Sequence, residues 1–399
     1  MSEDGGTAVQ LSSGEVTFTE TKRVVFGRPA GEALREQAEA MGARRVLLIV
    51  STSLRKQTDA VARIESALGD RHAATFDGIA PHAPRSDVLR AVEAARAARA
   101  DLIVSVGGGS VTDATKIVAL ALRHGVRRVE DFEPLRTRVD DQGRAVNPLT
   151  EGPDVRVICV PTTLSGGEFN PRSGATDEAT RHKQGYGHPA MVPVAIVLDP
   201  ALTVHTPEWV WLSTGVRAVD HCIETLASFR SNDYADGLAD SALRLLVEGL
   251  RRAKADARDL EGRLKCQIGA WQAMMPVLAD VPMGASHAIG HVLGGTCGVP
   301  HGYTSCILSP VVLAWNARDD ASRQRRILQC LGGGDATASA ALDAFIRGLG
   351  MPRTLAEVGV GENQFGAVAR YAMHDLWLRS NPRPIESQDD VLEILRMAA

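Results

Sequence analysis

The chain has 399 residues, enough for two domains that each bury a core, and its 44% hydrophobic and 23% charged residues are ordinary for a globular protein. A net charge of −4 without a basic stripe argues against nucleic-acid binding. The acidic, polar start MSEDGGTAVQ is unlike a secretory signal, and no uninterrupted apolar run is long enough to span a membrane. The six cysteines form no CxxC pair, so we expect reduced thiols and a cytoplasmic protein.

The first half of the chain alternates strand-like and helix-like segments. Residues 16–26 alternate apolar and polar side chains, which predicts a hairpin or an edge strand. Strands are predicted at 45–50, 73–81 (with a loop), 101–106, 155–160 and 194–198, and helices at 31–41, 59–68 and 87–100. This order indicates a parallel sheet with helices on both faces. Residues 125–154 are polar and charged, which indicates a long surface loop with room for a small hairpin.

The strand signal nearly vanishes after Asp199, and the rest of the chain reads as helices separated by short Gly, Pro and Asp breaks. We therefore predict two domains: an α/β domain over residues 1–200 and an all-helical domain over residues 201–399.

A candidate phosphate site lies in the run VSVGGGSVTDATK, residues 104–116. A buried strand leads into Gly107, Gly108 and Gly109, and we predict a helix that starts at Ser110 or Thr112, with these two hydroxyls as caps or phosphate donors. The pattern is neither GxGxxG nor a P-loop, so the alternative interpretation is an ordinary strand-to-helix turn without a phosphate site.

A second element of this kind is CVPTTLSGGEF, residues 159–169. Thr162, Thr163 and Ser165 offer hydroxyls at the end of another predicted strand. Ligands of open parallel sheets bind beyond the carboxyl ends of the strands, so the two loops are predicted to form two walls of one nucleotide cleft. The alternative is two unrelated turns.

The stretch SHAIGHVLGGTCGVPHGYTSCILS, residues 286–309, carries three histidines among glycines and apolar residues. His287 and His291 are four residues apart, so a helix places both rings on one face, and a Gly-rich turn then delivers His301. Imidazoles that converge in this way indicate proton chemistry, a metal, or both. Core and capping histidines are the alternative.

The motifs FDGIAP, GGGSVTDATK, PTTLSGGE, VDHCIETLAS and HAIGHVLGGTCGVPHG occur here in the order found in iron-dependent (group III) alcohol dehydrogenases. The resemblance covers nearly the whole chain, and HVLGGTCGVPH most resembles the maleylacetate reductases. It implies the dehydroquinate synthase-like, iron-type alcohol dehydrogenase fold: an N-terminal dinucleotide-binding domain with a parallel sheet, an all-helical C-terminal domain, and an active site in the cleft between them.

The resemblance also implies a ligand set of one Asp and three His. The histidines match His221, His287 and His301, with His291 as the further histidine near the substrate, but the Asp position holds Arg217. A guanidinium is always charged and is never a ligand. Asp220 points about 100° away from His221 around a helix, so we do not expect it to replace the missing Asp. We predict a metal-independent site, as the maleylacetate reductases are regarded to have; if a metal is bound, His221, His287 and His301 are its ligands.

Arg217 has two interpretations. It anchors a substrate carboxylate, or it forms an intrahelical pair with Asp220 or Glu224. The predicted catalytic set is His291 as proton donor, with His221, His287 and His301 shaping the pocket and Arg217 orienting an acidic substrate. The predicted cofactor-binding residues are Gly107, Gly108, Gly109, Ser110, Asp113, Thr162, Thr163, Ser165, Thr52 and Lys183.

The end of the second predicted strand reads Ser51-Thr52-Ser53 and carries no carboxylate to repel a 2′-phosphate, so NADPH is expected to be accepted alongside NADH. The predicted function is NAD(P)H-dependent reduction of an acidic carbonyl or conjugated enone by a homodimer. A metal-dependent alcohol or aldehyde dehydrogenase is the main alternative. The sequence contains neither the GxSxG nor the HExxH motif expected of a hydrolase. A protein that only binds would leave the intact glycine and histidine motifs unexplained. A synthase-like lyase would need a metal site, which the charge of Arg217 opposes.

Overall fold

A computed structural model describes residues 15–140 and 145–399, so the first 14 residues and the tip of the 125–154 loop lie outside the described residues. The strands are β1 (Arg23–Phe26), β2 (Val46–Val50), β3 (His72–Asp77), β4 (Leu102–Gly107), β5 (Arg138–Val139), β6 (Ala145–Val146), β7 (Arg156–Pro161), β8 (Arg172–Asp177), β9 (His182–Gly187) and β10 (Ala195–Leu198). The helices are α1 (Ala30–Ala40), α2 (Thr52–Gln57), α3 (Ala60–Leu68), α4 (Arg85–Ala98), α5 (Gly109–Arg123), α6 (Pro200–Thr203), α7 (Glu208–Ala227), α8 (Asp233–Ala255), α9 (Leu260–Leu278), α10 (Ala285–Cys297), α11 (His301–Leu331), α12 (Ala338–Gly348), α13 (Glu362–Ala372) and α14 (Gln388–Met397).

Six parallel strands form one sheet in the order β1-β10-β7-β4-β2-β3. The side chains of β2 show why helices cover both faces. Leu47 and Ile49 pack in the cluster of α4 and α5, whereas Leu48 and Val50 pack in the cluster of α1 and α3. Because successive strand residues point to opposite faces, a run such as VLLIV is buried only between two helical layers. The predicted parallel α/β architecture is confirmed.

The predicted segment 16–26 is only partly a strand. β1 covers Arg23–Phe26 at one edge of the sheet, where it pairs only with β10, and residues 15–22 contain no strand. The edge strand is therefore confirmed and the hairpin is wrong. The loop over 125–154 does contain a small antiparallel hairpin, β5–β6.

The sequence reading missed a second hairpin, β8–β9, which pairs Arg172–Asp177 with His182–Gly187. Its sequences, RSGATD and HKQGYG, are rich in Gly and polar residues and lack the apolar alternation that identifies a strand. It packs against α5 and contributes Lys183 to the region of the glycine loops.

Every described residue from Pro200 onward is helical or in a connection. The apolar faces of α7, α8, α9, α11 and α12 share one core, and α10, α13 and α14 share a second. None of the helices described here combines the length and the apolar character needed to cross a bilayer. All six cysteines lie in the described residues and are free thiols.

Candidate active site

The phosphate loop begins where β4 ends at Gly107. Helix α5 starts at Gly109, with Gly108 as its N-cap, so the predicted start at Ser110 or Thr112 is one to three residues late. No side chain caps this helix: Ser110 Oγ accepts from the His82 amide at 3.0 Å, and Thr112 is buried. The first amides of α5 consequently stay available to an anion.

The two glycine-containing loops are neighbours, as predicted. Gly107 is in register with Pro161, and the Thr162 amide donates to the Gly107 carbonyl at 3.0 Å. A Cβ at Gly108 would lie 3.0 Å from Thr163 Cγ2, so glycine is what allows the loops to approach so closely. The Thr163 and Ser165 hydroxyls are 3.1 Å apart and face this junction.

A cavity of about 160 Å³ opens beside the loops. Its lining is Ser51, Ser53, Leu54, Gln57, Thr58, Gly108, Thr162, Thr163, His205, Thr206, Pro207 and Val210. The cavity thus contains three of the predicted cofactor residues, Gly108, Thr162 and Thr163. The predicted Thr52 is not part of the lining, and its neighbours Ser51 and Ser53 take that place.

Lys183 and Asp113, both predicted to contact the cofactor, form an ion pair at 2.9 Å. Lys183 lies within electrostatic range of both His82 and His301, because its charge lowers the pKa of each after desolvation. The glycine-loop end of the sheet and the histidine end of the helices therefore face one another across a cleft.

The motif residue Lys116 is fully buried and holds this wall together. Its ammonium donates to the carbonyls of Gly167, Asn170 and Arg172 at 2.8, 2.9 and 2.5 Å. Burial lowers the pKa of Lys116. The lysine links α5 to the loop that follows Ser165, and thereby fixes the two cofactor-side loops relative to each other.

The four predicted histidines come together from α7, α10 and α11. The rings of His221 and His287 stack with centroids 4.6 Å apart, and those of His291 and His301 meet edge to face at 6.2 Å. His287 is completely buried, whereas His291 and His301 are open to the cleft. Desolvation, followed by the nearby Arg217 charge, lowers the pKa of His301 to about 3, because its accessible ring still lies deep among protein atoms.

Glu224, which the sequence reading treated only as an ion-pair partner, holds His287. The Nδ1 atom of His287 lies 2.7 Å from Glu224 Oε2, and the amides of Gly284 and Ser286 donate to the two carboxylate oxygens at 2.8 Å each. Within the part of the chain that the structure describes, the Nε2 atom of His287 has no hydrogen-bond partner. Burial, then the Arg217 charge, keeps the pKa of His287 well below its usual value.

Arg217 lies beside this cluster. Its Nη1 donates to Ser305 Oγ at 3.0 Å, and Ser305 donates in turn to Asp220 Oδ2 at 2.7 Å. Among the described residues, the guanidinium bonds to a hydroxyl instead of pairing directly with Asp220 or Glu224. Burial lowers the pKa of Arg217, but a guanidinium remains charged in proteins. The predicted direct intrahelical pair is therefore replaced by a link to Asp220 through Ser305, and the substrate-anchor interpretation stays a prediction.

Five residues near the histidines have no site role in the prediction from sequence: Asp220, Ser286, Ser305, Asp375 and Trp377. Of these, only Asp220 is weighed there, as a replacement for the missing Asp ligand. Asp220 does point away from His221, yet it lies 3.3 Å from His287 on another helix. The spacing of Arg217, Asp220 and Glu224 places them on one helix face, and this spacing could have indicated that Asp220 belongs to the site. Asp375 and Trp377 lie in a distant segment, so no local pattern places them here.

Comparisons with known proteins agree with this geometry. The family model of the iron-containing alcohol dehydrogenases matches residues 21–200, and the C-terminal model of the Fe-containing alcohol dehydrogenase family matches residues 211–399. The chain is 36% identical to Dehydrogenase ALT3 of Alternaria alternata, over 90% of this chain and 99% of that protein. It is 32% identical to Maleylacetate reductase 2 of Cupriavidus pinatubonensis, over 94% of each. The crystal structure of maleylacetate reductase from Agrobacterium tumefaciens matches with a TM-score of 0.80 at 29% identity, over 97% of this chain and 98% of that one.

The chain therefore belongs to the iron-containing alcohol dehydrogenase family, and within it stands close to maleylacetate reductases. It is an NAD(P)-dependent oxidoreductase.

Proposed function

We propose that this chain reduces an acidic carbonyl or conjugated enone with NAD(P)H, in the manner of a maleylacetate reductase, and that it does so without a metal. The observation that carries the proposal is the position of Arg217. Desolvation is the main cause of the lowered pKa of His221, His287 and His301, and the Arg217 charge lowers each of them further, so all three imidazoles lie within its electrostatic reach. A fixed cation at that place suits an anionic substrate.

The residues present do not fit a divalent metal. Arg217 replaces the carboxylate of the family's ligand set, and its charge repels a second cation among the same histidines. Asp220, Glu224 and His287 form a buried trio with ligand atoms within 4.8 Å of one another. However, both Glu224 oxygens accept backbone amides, and Asp220 Oδ2 accepts the hydroxyls of Ser286 and Ser305. Hydrogen bonds thus already occupy three of the four carboxylate oxygens, and Asp220 Oδ1 is the one that has no partner among the described residues.

In this proposal the bound nicotinamide supplies the hydride to the carbonyl carbon or to the β-carbon of the enone. His291 supplies the proton, to the oxygen of a carbonyl or to the enolate that hydride addition to an enone leaves. Its Nδ1 is bonded to Asp375 at 2.9 Å, which leaves Nε2 to face the cleft. Arg217 holds a substrate carboxylate and stabilises the negative charge that develops as the hydride arrives. His221, His287 and His301 shape the pocket around it.

The cofactor is assigned to the glycine-loop end of the cleft. The pyrophosphate binds the amides at the start of α5, over Gly107 to Ser110, beside Thr162, Thr163 and Ser165. Lys183, which pairs with Asp113 and lies within electrostatic range of His301, would be among the residues that hold the cofactor on the side of the histidines. On the other side, Arg55 on α2 pairs with Asp77 at 2.7 Å, so it is only partly available to a 2′-phosphate. NADH and NADPH are both proposed as substrates.

Three further features belong to the proposal. The domain boundary is placed near residue 200, between the two matched family segments. The enzyme is assigned to the cytoplasm, in keeping with its six free thiols. It is assigned as a homodimer, supported by the free edge of β1 and by the exposure of Phe18 and Phe26 nearby, at 83% and 52%.

Enzyme that has been thoroughly chelated, with its metal content quantified, tests the central claim. NADPH and NADH oxidation are followed with maleylacetate and with a panel of simple aldehydes. Full turnover of the acidic substrate without metal supports the proposal. Turnover that requires added Fe²⁺ or Zn²⁺ overturns it in favour of a metal-dependent alcohol dehydrogenase, and turnover of neutral aldehydes alone removes the substrate role of Arg217.

A further inference from the structure

We propose that Asp375 is a positioning residue for His291 during proton transfer; this inference rests on the proposed function, in which His291 is the proton donor. Asp375 Oδ2 lies 2.9 Å from Nδ1 of His291, although the two residues are 84 positions apart in the chain. The side chains are 21% and 37% exposed, so the pair lies at the wall of the cleft and not in the core.

The contact sets the tautomer of His291. A carboxylate only accepts hydrogen bonds, so Nδ1 of His291 carries the proton and Nε2 is the atom left for the substrate. For the transfer, Nε2 carries a second proton and passes it to the substrate, which leaves the Nδ1–H tautomer hydrogen-bonded to Asp375. Asp375 therefore decides which nitrogen meets the substrate and where the proton is held.

Trp377 fixes the ring plane of His291. The two rings are tilted by 35° with centroids 5.2 Å apart, and Trp377 also meets His287 edge to face at 5.9 Å. The Trp377 amide donates to the second oxygen of Asp375 at 2.9 Å. One short segment thus supplies both the carboxylate and the aromatic surface that orient the donor.

This segment is tied to the helix that carries the histidine. The 3₁₀ turn Leu376–Ser380 is anchored through Ser380 Oγ, which donates to the Met283 carbonyl at 2.6 Å. Asn381 Oδ1 accepts from the Ala285 amide, at the start of α10, at 3.1 Å. Because α10 also bears His287 and His291, the turn and the histidines keep a fixed relation.

Asp375→Asn is the informative variant. Its amide oxygen can still accept from the Trp377 amide, whereas its NH₂ group faces Nδ1 of His291 and favours the opposite tautomer. We expect kcat to fall at least about tenfold, with KM for NADPH and for the acidic substrate nearly unchanged, and a larger solvent deuterium isotope effect on kcat. Asp390→Asn, which alters a half-buried aspartate in the capping box of α14, is the matched control and should leave kcat unchanged.

Chemical rescue separates positioning from folding. In Asp375→Ala, added formate should restore kcat in a saturable way, whereas chloride at equal ionic strength should not, because formate supplies the carboxylate that the variant removes. Nitrogen-15 NMR of histidine-labelled wild-type enzyme, assigned with His291→Asn, should report the Nδ1–H form of neutral His291. This last measurement needs no Asp375 variant to fold.

The outcomes are separable. A His291→Asn variant with undiminished kcat shows that the donor in the proposed function is wrong. If kcat is reduced in His291→Asn but equals the wild-type value in Asp375→Asn, the role of Asp375 is overturned and that of His291 stands. The Nε2–H form in wild-type enzyme, or rescue by chloride as well as by formate, also overturns it.

Discussion

The Glu224 carboxylate accepts the Nδ1 proton of His287 across 2.7 Å, inside a cluster that also contains Arg217 and Asp220. Two backbone amides donate to the same carboxylate, one to each oxygen, which favours its ionised, accepting form and with it a proton on Nδ1 of His287. Burial nevertheless raises the pKa of Glu224 to about 7. The backbone between Gly284 and Ser286 thus helps to determine which atom of a histidine faces the pocket.

Glu224→Gln should destabilise the folded protein and slow its turnover. One oxygen becomes an NH₂ group, and whichever way the amide turns it faces an N–H donor. We expect the free energy of unfolding to fall by about 1–3 kcal/mol, together with a reduced kcat. Urea unfolding and steady-state kinetics measure both. Glu248→Gln is the control, because that glutamate pairs with Arg252 and Lys265 on an exposed helix face, where ion pairs contribute little. An unfolding free energy equal to that of wild type would contradict the role given to Glu224.

Arg217→Asp should convert the site into a metal site. The substitution places a carboxylate four residues before His221 and removes the repelling charge. We expect near-stoichiometric Zn²⁺ or Fe²⁺ after reconstitution, measured by elemental analysis, and a KM for the acidic substrate raised by about 10- to 100-fold. Arg217→Met should raise KM without gaining metal. Equal metal content in wild type and in Arg217→Asp would count against a metal-free native site.

Gly108→Ala should weaken cofactor binding. The added methyl group would meet Thr163 Cγ2 at 3.0 Å and push apart the two loops that hold the pyrophosphate. We expect KM for NADPH to rise about fivefold to tenfold while folding is retained. Gly237→Ala on α8 is the control, because its Cβ would meet nothing within 4 Å. Tight NADPH binding by Gly108→Ala in fluorescence titration would place the phosphates elsewhere.

Asp77→Asn should shift cofactor preference towards NADPH. The variant releases Arg55 from an ion pair at 2.7 Å and removes a negative charge near the cavity lined by Ser51 and Ser53. We expect the NADPH to NADH ratio of kcat/KM to rise about threefold to tenfold. Asp70→Asn, in the exposed turn after α3, should leave that ratio unchanged. A fall in the ratio would show that Arg55 does not reach the cofactor.

Glu168→Gln should change how stability depends on pH. Burial raises the pKa of Glu168 from 4.5 to about 7, so between these values the folded protein keeps a proton that the unfolded chain has lost. The stabilisation that neutral Glu168 contributes is therefore fully present at pH values below the pKa of the unfolded chain, and it is lost as the pH rises through the folded pKa of about 7. At pH values above the folded pKa, the free energy of unfolding of the variant should exceed that of wild type by up to about 3 kcal/mol. At pH values below the unfolded pKa, the two free energies of unfolding should be equal.

Urea unfolding at several pH values tests this, with the exposed Glu362→Gln as the control. Lys116 keeps its three carbonyl partners in the Glu168 variant, so the loop should remain anchored. A difference between Glu168→Gln and wild type that does not vary with pH would mean that the pKa of Glu168 is the same in the folded and unfolded states.

The sequence by itself determined the parallel sheet, the shift to helices after residue 199, the paired glycine loops and the helix that carries His287 and His291. These features follow from local patterns: apolar runs that need two covering layers, glycines where backbones approach, and a spacing of four on a helix. The resemblance to the family, and no local pattern, implies that Arg217 stands at the position of an acidic ligand.

Only the tertiary structure decided what surrounds those residues. Asp220 looked unusable beside His221, because neighbours on a helix diverge, yet it faces His287 from another helix at 3.3 Å. Ser305 connects it to Arg217 from a third helix, and Asp375 reaches His291 from a turn 84 residues away. The β8–β9 hairpin was missed because its strands carry no apolar alternation. Hydrogen-bond partners of this kind are chosen by the packing of separate elements, so no periodicity along the chain records them.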